Sequence, residues 1–184
     1  MIIAITGTLG SGKGTVVEYL KAKGFKHYSA SGFITEEILR RGLPVNRDTM
    51  TATGEDLRAL HGADYIFRSL LERALAGGGD AIIESIRTTG EVATIKANNI
   101  MLLGVDADPA VRYERAVARG SEKDNVSFEK FMADEERESI SETPERMNLR
   151  KCLALADVVI MNDGTPEELH TKVDDALTRL PLND

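Results

Sequence analysis

The chain has 184 residues, of which 42% are hydrophobic and 5% aromatic, with no tryptophan; 30 acids against 23 bases give a formal charge of −7. The hydrophobic share supports a packed core and excludes wholesale disorder. An acidic chain with few rings is a poor non-specific nucleic-acid binder, because phosphate neutralisation needs a basic surface and base stacking needs aromatic platforms.

The length fits one domain, read here as residues 1–184. No apolar run reaches the roughly 18 residues of a membrane span. The opening Met1-Ile2-Ile3-Ala4-Ile5 lacks a basic stretch and runs into glycines, which is not the pattern of a signal peptide. A single cysteine, Cys152, leaves no intramolecular disulfide framework and suits a reducing cytoplasm.

In chain order, residues 2–6 form a β-branched apolar run closed by Gly7 and read as a buried strand. A helix follows over 15–23, stopped by Gly24, and a short strand over 27–29. Residues 33–41 read as a helix ending at Gly42 before Leu43-Pro44. One long helix is expected over 57–76, ended by Gly77-Gly78-Gly79. The pattern then gives a strand at 81–84, a short helix at 91–97 and a strand at 100–105. Pro109 after Asp108 starts a helix to residue 119. A polar connection at 122–126 leads to Ser127, which caps a helix to about 140. The last strand spans 158–161, and Thr165-Pro166-Glu167-Glu168 opens the terminal helix. Apolar strands alternating with helices indicate an α/β fold with a parallel sheet of about five strands between helical layers.

Gly7-Thr8-Leu9-Gly10-Ser11-Gly12-Lys13-Gly14-Thr15 stands between the first strand and the first helix. That context is the condition for a phosphate-binding loop of the Walker A kind. Its glycines let successive N–H groups approach an anion, and the helix N-terminus adds partial positive charge. Lys13 then reaches the β- and γ-phosphates of ATP. Gly14 occupies the place where the general pattern has Ser or Thr, so Thr15 becomes the candidate hydroxyl for Mg²⁺.

The Gly-Lys-Gly-Thr ending resembles the loop of adenylate kinases and related nucleoside monophosphate kinases. The resemblance extends over most of the chain. Ser29-Ala30-Ser31-Gly32 is similar to the monophosphate-binding segment, and Ile83-Glu84-Ser85-Ile86-Arg87 to the strand-end pattern of acid, small residue, apolar residue and arginine. Asp106-Ala107-Asp108-Pro109, leading to Arg112, Arg115 and Arg119-Gly120, resembles the approach to the lid. Residues 156–163 resemble the final strand and turn of short adenylate-kinase-like and dephospho-CoA-kinase-like proteins. The resemblance implies a three-layer P-loop kinase fold with a small acceptor-binding insert at about 30–60 and a short lid at about 119–127.

It also implies roles. Glu84, where the family usually has Asp, would hold Mg²⁺ directly or through water. Arg87 would clamp the acceptor phosphate, with Ser31 beside it; a guanidinium binds phosphate bidentately where lysine does not. At least one of Arg40, Arg41, Arg47 and Arg58 is expected to meet the acceptor, Arg40 being carried as the candidate. Arg112, Arg115 and Arg119 would present a cationic stripe to the lid, with Arg119 acting on the transferring phosphoryl group and Arg137 on the following helix as a further candidate. The family's arginine after its Thr/Ser-Gly turn has no match, position 36 being Glu36. Asn162-Asp163-Gly164 would lie against the adenine. His27, His61 and His170 show no metal-ligand spacing and are read as surface or core residues.

The reading is an ATP-dependent phosphotransferase that moves the γ-phosphoryl group of MgATP to a nucleoside or deoxynucleoside monophosphate. Its partners would be small-molecule nucleotides, with neither membrane nor nucleic acid. The alternatives are transfer to a ribose hydroxyl, as in dephospho-CoA kinase, a non-catalytic ATP-binding switch, and a partner-activated ATPase. A hydroxyl acceptor calls for a base, and Ser29-Ala30-Ser31 puts no acid after the second strand.

Overall fold

Strand β1 (Ile2–Gly7) runs through the centre of a parallel sheet, with β3 (Ala81–Ile86) on one side and β4 (Met101–Asp106) on the other. Strands β2 (Lys26–Ser29) and β5 (Val158–Met161) form the edges, giving the order β2-β3-β1-β4-β5. The computed structural model describes residues 1–120, 126–137, 139 and 141–179. Helices cover both faces: α1 (Lys13–Ala22), α2 (Ala30–Arg40), α3 (Arg47–His61), α4 (Tyr65–Gly77), α5 (Thr89–Ala97), α6 (Pro109–Ala118), α7 (Phe128–Arg137), α8 (Leu149–Ala154) and α9 (Pro166–Leu177).

Side-chain alternation along the strands divides the core into two layers. Ile3, Ile5, Ile82, Leu103 and Val105 pack with Val16, Leu20, Leu169 and Val173 of α1 and α9. Ala4, Ile83, Ile86 and Leu102 face Ile34, Phe67, Leu70, Ile95 and Cys152 on the other side. The order of connections reverses around β1, and the crevice at the carboxyl end of such a strand is where open α/β sheets bind ligands. The glycine-rich loop occupies that end.

The expected strands all form, within one or two residues of their predicted limits. The long helix expected over 57–76 is two helices. Asn46 caps α3 ten residues earlier than expected, accepting from Thr49 N, and Gly62 at φ 110° ends it before α4 begins at Tyr65. A glycine after the last turn is a stop signal that the continuing apolar period masks. Helix α8 was not foreseen. Helix α7 follows the Ser127 cap, with Lys130 N donating to Ser127 Oγ at 3.3 Å, and ends at Arg137. Most of the expected lid, residues 121–125, and the side chain of Arg137 lie outside the described residues.

Candidate active site

The chain leaves β1 at Gly7 and turns into α1 at Lys13, with Gly10 and Gly12 at φ 78° and 87°. Those left-handed conformations favour glycine, and the surroundings exclude anything larger. A Cβ on Gly10 would stand 2.2 Å from the carbonyl oxygen of Arg112, and one on Gly12 2.1 Å from Asn162 Nδ2. The loop is braced from below. Asn162 Nδ2 donates to Ser11 O at 2.9 Å, and Thr8 Oγ1 donates to Asp106 Oδ1 at 2.6 Å. Glycine at these two positions lets the loop backbone pack closely on Arg112 and Asn162, and a strand–glycine loop–helix of this shape is the arrangement that suits an anion.

Lys13 Nζ lies 3.1 Å from Glu84 Oε2. Glu84 also accepts from Ser29 Oγ and Ser85 Oγ, both at 2.5 Å, and His27 Nε2 stands 3.7 Å from its other oxygen. Burial by itself would raise the Glu84 pKa; the nearby His27 imidazole, the Lys13 charge and the two serine hydroxyls outweigh it and hold the carboxyl below its ordinary value of 4.5. Ser85 has φ 71°, an unusual conformation for a residue with a Cβ, and sits where the β1–β3 register slips between Ile5 and Thr6. Strain of this kind concentrates at functional sites. The bulge turns the Ser85 hydroxyl onto Glu84 and within 3.5 Å of Lys13.

Beside the loop opens a cavity of about 230 Å³ whose lining includes Leu9, Ser31, Ser85, Arg47, Arg58, Arg87 and Arg119. Ser29 caps α2 by accepting from Gly32 N, which fixes Ser31 at the cavity edge. Glu91 closes a capping box on α5, taking the Arg87 and Thr88 N–H groups at 3.0 and 3.1 Å, while Asn148 N donates to Arg87 O. The arginine loop is therefore fastened from two sides.

The structure brings together Lys13, Glu84, Ser31, Arg87 and Arg119, all placed near the loop by sequence. Thr15 is exposed in the first turn of α1. Arg40 departs from expectation: its guanidinium is largely exposed and bound to Glu37 on the outer face of α2, and Arg47 and Arg58 take the cavity positions. Arg41 joins the same carboxylate and Asp56. The cationic stripe on α6 is also divided. Arg112 is buried and tied to Ala107 O, Asp106 and Glu135, bracing the underside of the loop. Arg115 donates to Asn162 O at 2.8 Å, and Arg119 alone of the three lines the cavity. Glu36 pairs with Arg73 on the surface.

Sequence reasoning passed over His27, Ser85, the Asn162 side chain and the Arg58–Glu91 pair. Thr88-Thr89-Gly90-Glu91 carries a legible capping-box signature. Nothing local announces the others. Cys152 is fully buried, and burial pushes its thiol pKa up to about 12, so it acts as a small apolar residue.

Glu84 offers the ionised hard-oxygen donor that Mg²⁺ prefers, and the loop fits the phosphates that such an ion accompanies. No helix among the described residues is long and apolar enough to cross a membrane.

Residues 3–142 match the AAA domain family. A UPF0200 protein of Thermococcus kodakarensis is 29% identical over 180 residues, covering 94% of each chain. Another, from Pyrobaculum aerophilum, is 30% identical over 182 residues, covering 97% of this chain and 98% of its own. Among solved structures, TT1252 from Thermus thermophilus superposes with a TM-score of 0.64 at 23% identity, covering 98% of both chains. Shikimate kinase from Aquifex aeolicus superposes with a TM-score of 0.58 at 17% identity, covering all of both chains. These likenesses match the five-stranded parallel sheet flanked by helices and give the chain a P-loop kinase-like fold. The chain therefore belongs to the AAA domain family and to the UPF0200 family of proteins.

Proposed function

We propose that the protein is an ATP-dependent phosphotransferase whose acceptor is a nucleoside or deoxynucleoside monophosphate. One observation carries this reading: the lining of the cavity beside the phosphate loop includes the arginines Arg47, Arg87 and Arg119. A phosphate-bearing acceptor fits that lining better than a neutral hydroxyl compound.

In the resting site Lys13 is paired with Glu84. With ATP bound, Lys13 would exchange that carboxylate for β- and γ-phosphate oxygens, and Glu84 and Thr15 would be the oxygen donors that hold Mg²⁺. The ion, when bound, neutralises charge that builds on those oxygens. Arg87 grips the acceptor phosphate, and Arg119 reaches over the transferring group from the residue that caps the end of α6. An acceptor phosphate oxygen bonds to the γ-phosphorus as its bond to the bridging oxygen breaks, and ADP leaves. Positioning and charge stabilisation supply the rate. Ser31 at the edge of the cavity and Arg137 at the end of α7 remain acceptor candidates. The acceptor-binding insert at 30–60 and the lid at 119–127 are part of this proposal. So is a cytoplasmic setting, which suits an ATP-using protein whose one cysteine is a buried thiol.

The test is a coupled ADP assay with MgATP and each ribo- and deoxyribonucleoside monophosphate, with dephospho-CoA and shikimate as hydroxyl acceptors, beside Lys13→Ala. ADP release that needs both a monophosphate and Lys13 is expected. Release driven by a hydroxyl acceptor, or by no acceptor at all, would replace this reading.

A further inference from the structure

Behind the cavity wall, α3 and the β3–α5 turn share a buried ion pair that phosphoryl transfer does not require. Arg58 is 4% exposed and Glu91 0%. Arg58 Nη2 donates to Glu91 Oε1 at 3.1 Å, and the other carboxylate oxygen takes the Arg87 and Thr88 N–H groups. Buried ion pairs seldom stabilise a fold more than apolar residues of similar volume would. Stability is therefore a weak reason for this one.

Two features mark the guanidinium as built into the site. Gly54 lies one turn before it in the middle of α3, where glycine is unfavourable relative to alanine. A Cβ there would stand 3.1 Å from Arg58 Nη1 and 3.2 Å from Ile34 Cδ1, so the glycine makes the room that the guanidinium occupies. The second feature is Arg58 Nε. It is buried with no hydrogen-bond partner among the described residues, in a side chain that forms part of the cavity lining. An unsatisfied buried donor is unfavourable, and an incoming acceptor atom relieves it.

We propose that Arg58 reads the ring of the acceptor: its guanidinium donates to a ring nitrogen or carbonyl oxygen of a neutral, planar heterocycle. This rests on the phosphate-acceptor reading above. Glu91 already balances the Arg58 charge, so the pair presents a donor without net charge, which suits a neutral acceptor atom and not a second anion. Ala30, Ile34, Met50 and Met147 give that cavity apolar walls against which a flat ring packs. Glu55, one turn before Arg58 and also in the lining, offers a carboxylate to a ring N–H.

Displacement calorimetry separates the ring from the phosphate. The wild type, Arg58→Lys and Gly54→Ala are titrated with the nucleoside monophosphates, with ribose 5-phosphate and with ATP. Lysine keeps a charge opposite Glu91 but lacks the fork; alanine at 54 improves helix propensity while crowding Nη1, and chemical denaturation of both variants checks that they are folded before titration. Both should bind the preferred monophosphate about tenfold more weakly, as loss of one buried hydrogen bond predicts, with ribose 5-phosphate and ATP unchanged. Unchanged monophosphate affinity in both variants overturns the ring assignment. An equal loss for monophosphate and ribose 5-phosphate overturns it too, because Arg58 would then act through Arg87. Wild-type binding of ribose 5-phosphate as tight as any nucleotide removes ring reading altogether, and wild-type binding of neither removes the phosphate-acceptor reading on which it stands.

Discussion

Lys13 of the glycine-rich loop and Glu84 at the end of β3 are bonded at 3.1 Å across the central pair of strands. Parallel pairing of Ile5 with Glu84 brings an acid 71 positions away under the loop's only lysine. The pair stores the charges that a metal–phosphate complex would separate: the cation for phosphate, the carboxylate for the metal.

That arrangement predicts acid sensitivity. Glu84 has its folded pKa below the unfolded one, so the folded state favours the ionised form. The stability it adds is present in full above its ordinary value of 4.5 and is lost as pH falls from there toward the depressed folded value. Chemical denaturation of the wild type and Glu84→Gln at neutral pH and at steps below about pH 5 measures this. The difference in stability between the two should shrink as acid is added; a constant difference would contradict it.

Arg87 and Arg40 should behave oppositely. Arg87→Lys keeps the charge in the cavity but loses the two-pronged grip, and should lower kcat/KM for the acceptor by about 10- to 100-fold with KM for ATP unchanged. Arg40→Ala removes an exposed partner of Glu37 and should leave both constants where they were. Steady-state kinetics with both substrates varied distinguishes the two.

Two loop glycines make a contrasting pair for equilibrium denaturation. Gly10→Ala places a Cβ on the Arg112 backbone at a left-handed φ, and should destabilise by about 2 kcal/mol or more. At Gly14, in the first turn of α1, a Cβ meets nothing within 4 Å. Gly14→Ala should be neutral or stabilising by up to about 1 kcal/mol.

Asn162 tests the tie between the last strand and the loop. Its side-chain amide donates to Ser11 O, and its backbone carbonyl, which alanine keeps, accepts from Arg115. Asn162→Ala leaves Ser11 O without that donor, at a cost of about 1–3 kcal/mol. ATP affinity, read by calorimetry, should fall about tenfold, while the acceptor's affinity stays within twofold.

The phosphate loop was legible because its requirements are local. Close approach of backbone N–H groups needs glycines at fixed spacing, and a strand before and a helix after are visible in β-branched runs and helical periods. For the same reason the five strands, the Ser127 and Thr165 caps and Lys13 could be read from the chain itself. Arg40 and Arg58 show where that stops. Both sit on helices of the same region, in patterns no period tells apart. Packing alone turned Arg40 to solvent and folded Arg58 into the space left by Gly54. Ser85 is similar: its positive φ comes from a register slip between two strands, and serine gives no local sign of it. Sequence determined the strands, most of the helices and the glycine-rich loop, whose physics lies within a few consecutive residues, but not the break at Gly62 or helix α8. The tertiary structure decided which charges meet, because ion pairing and burial depend on segments that only the sheet brings side by side.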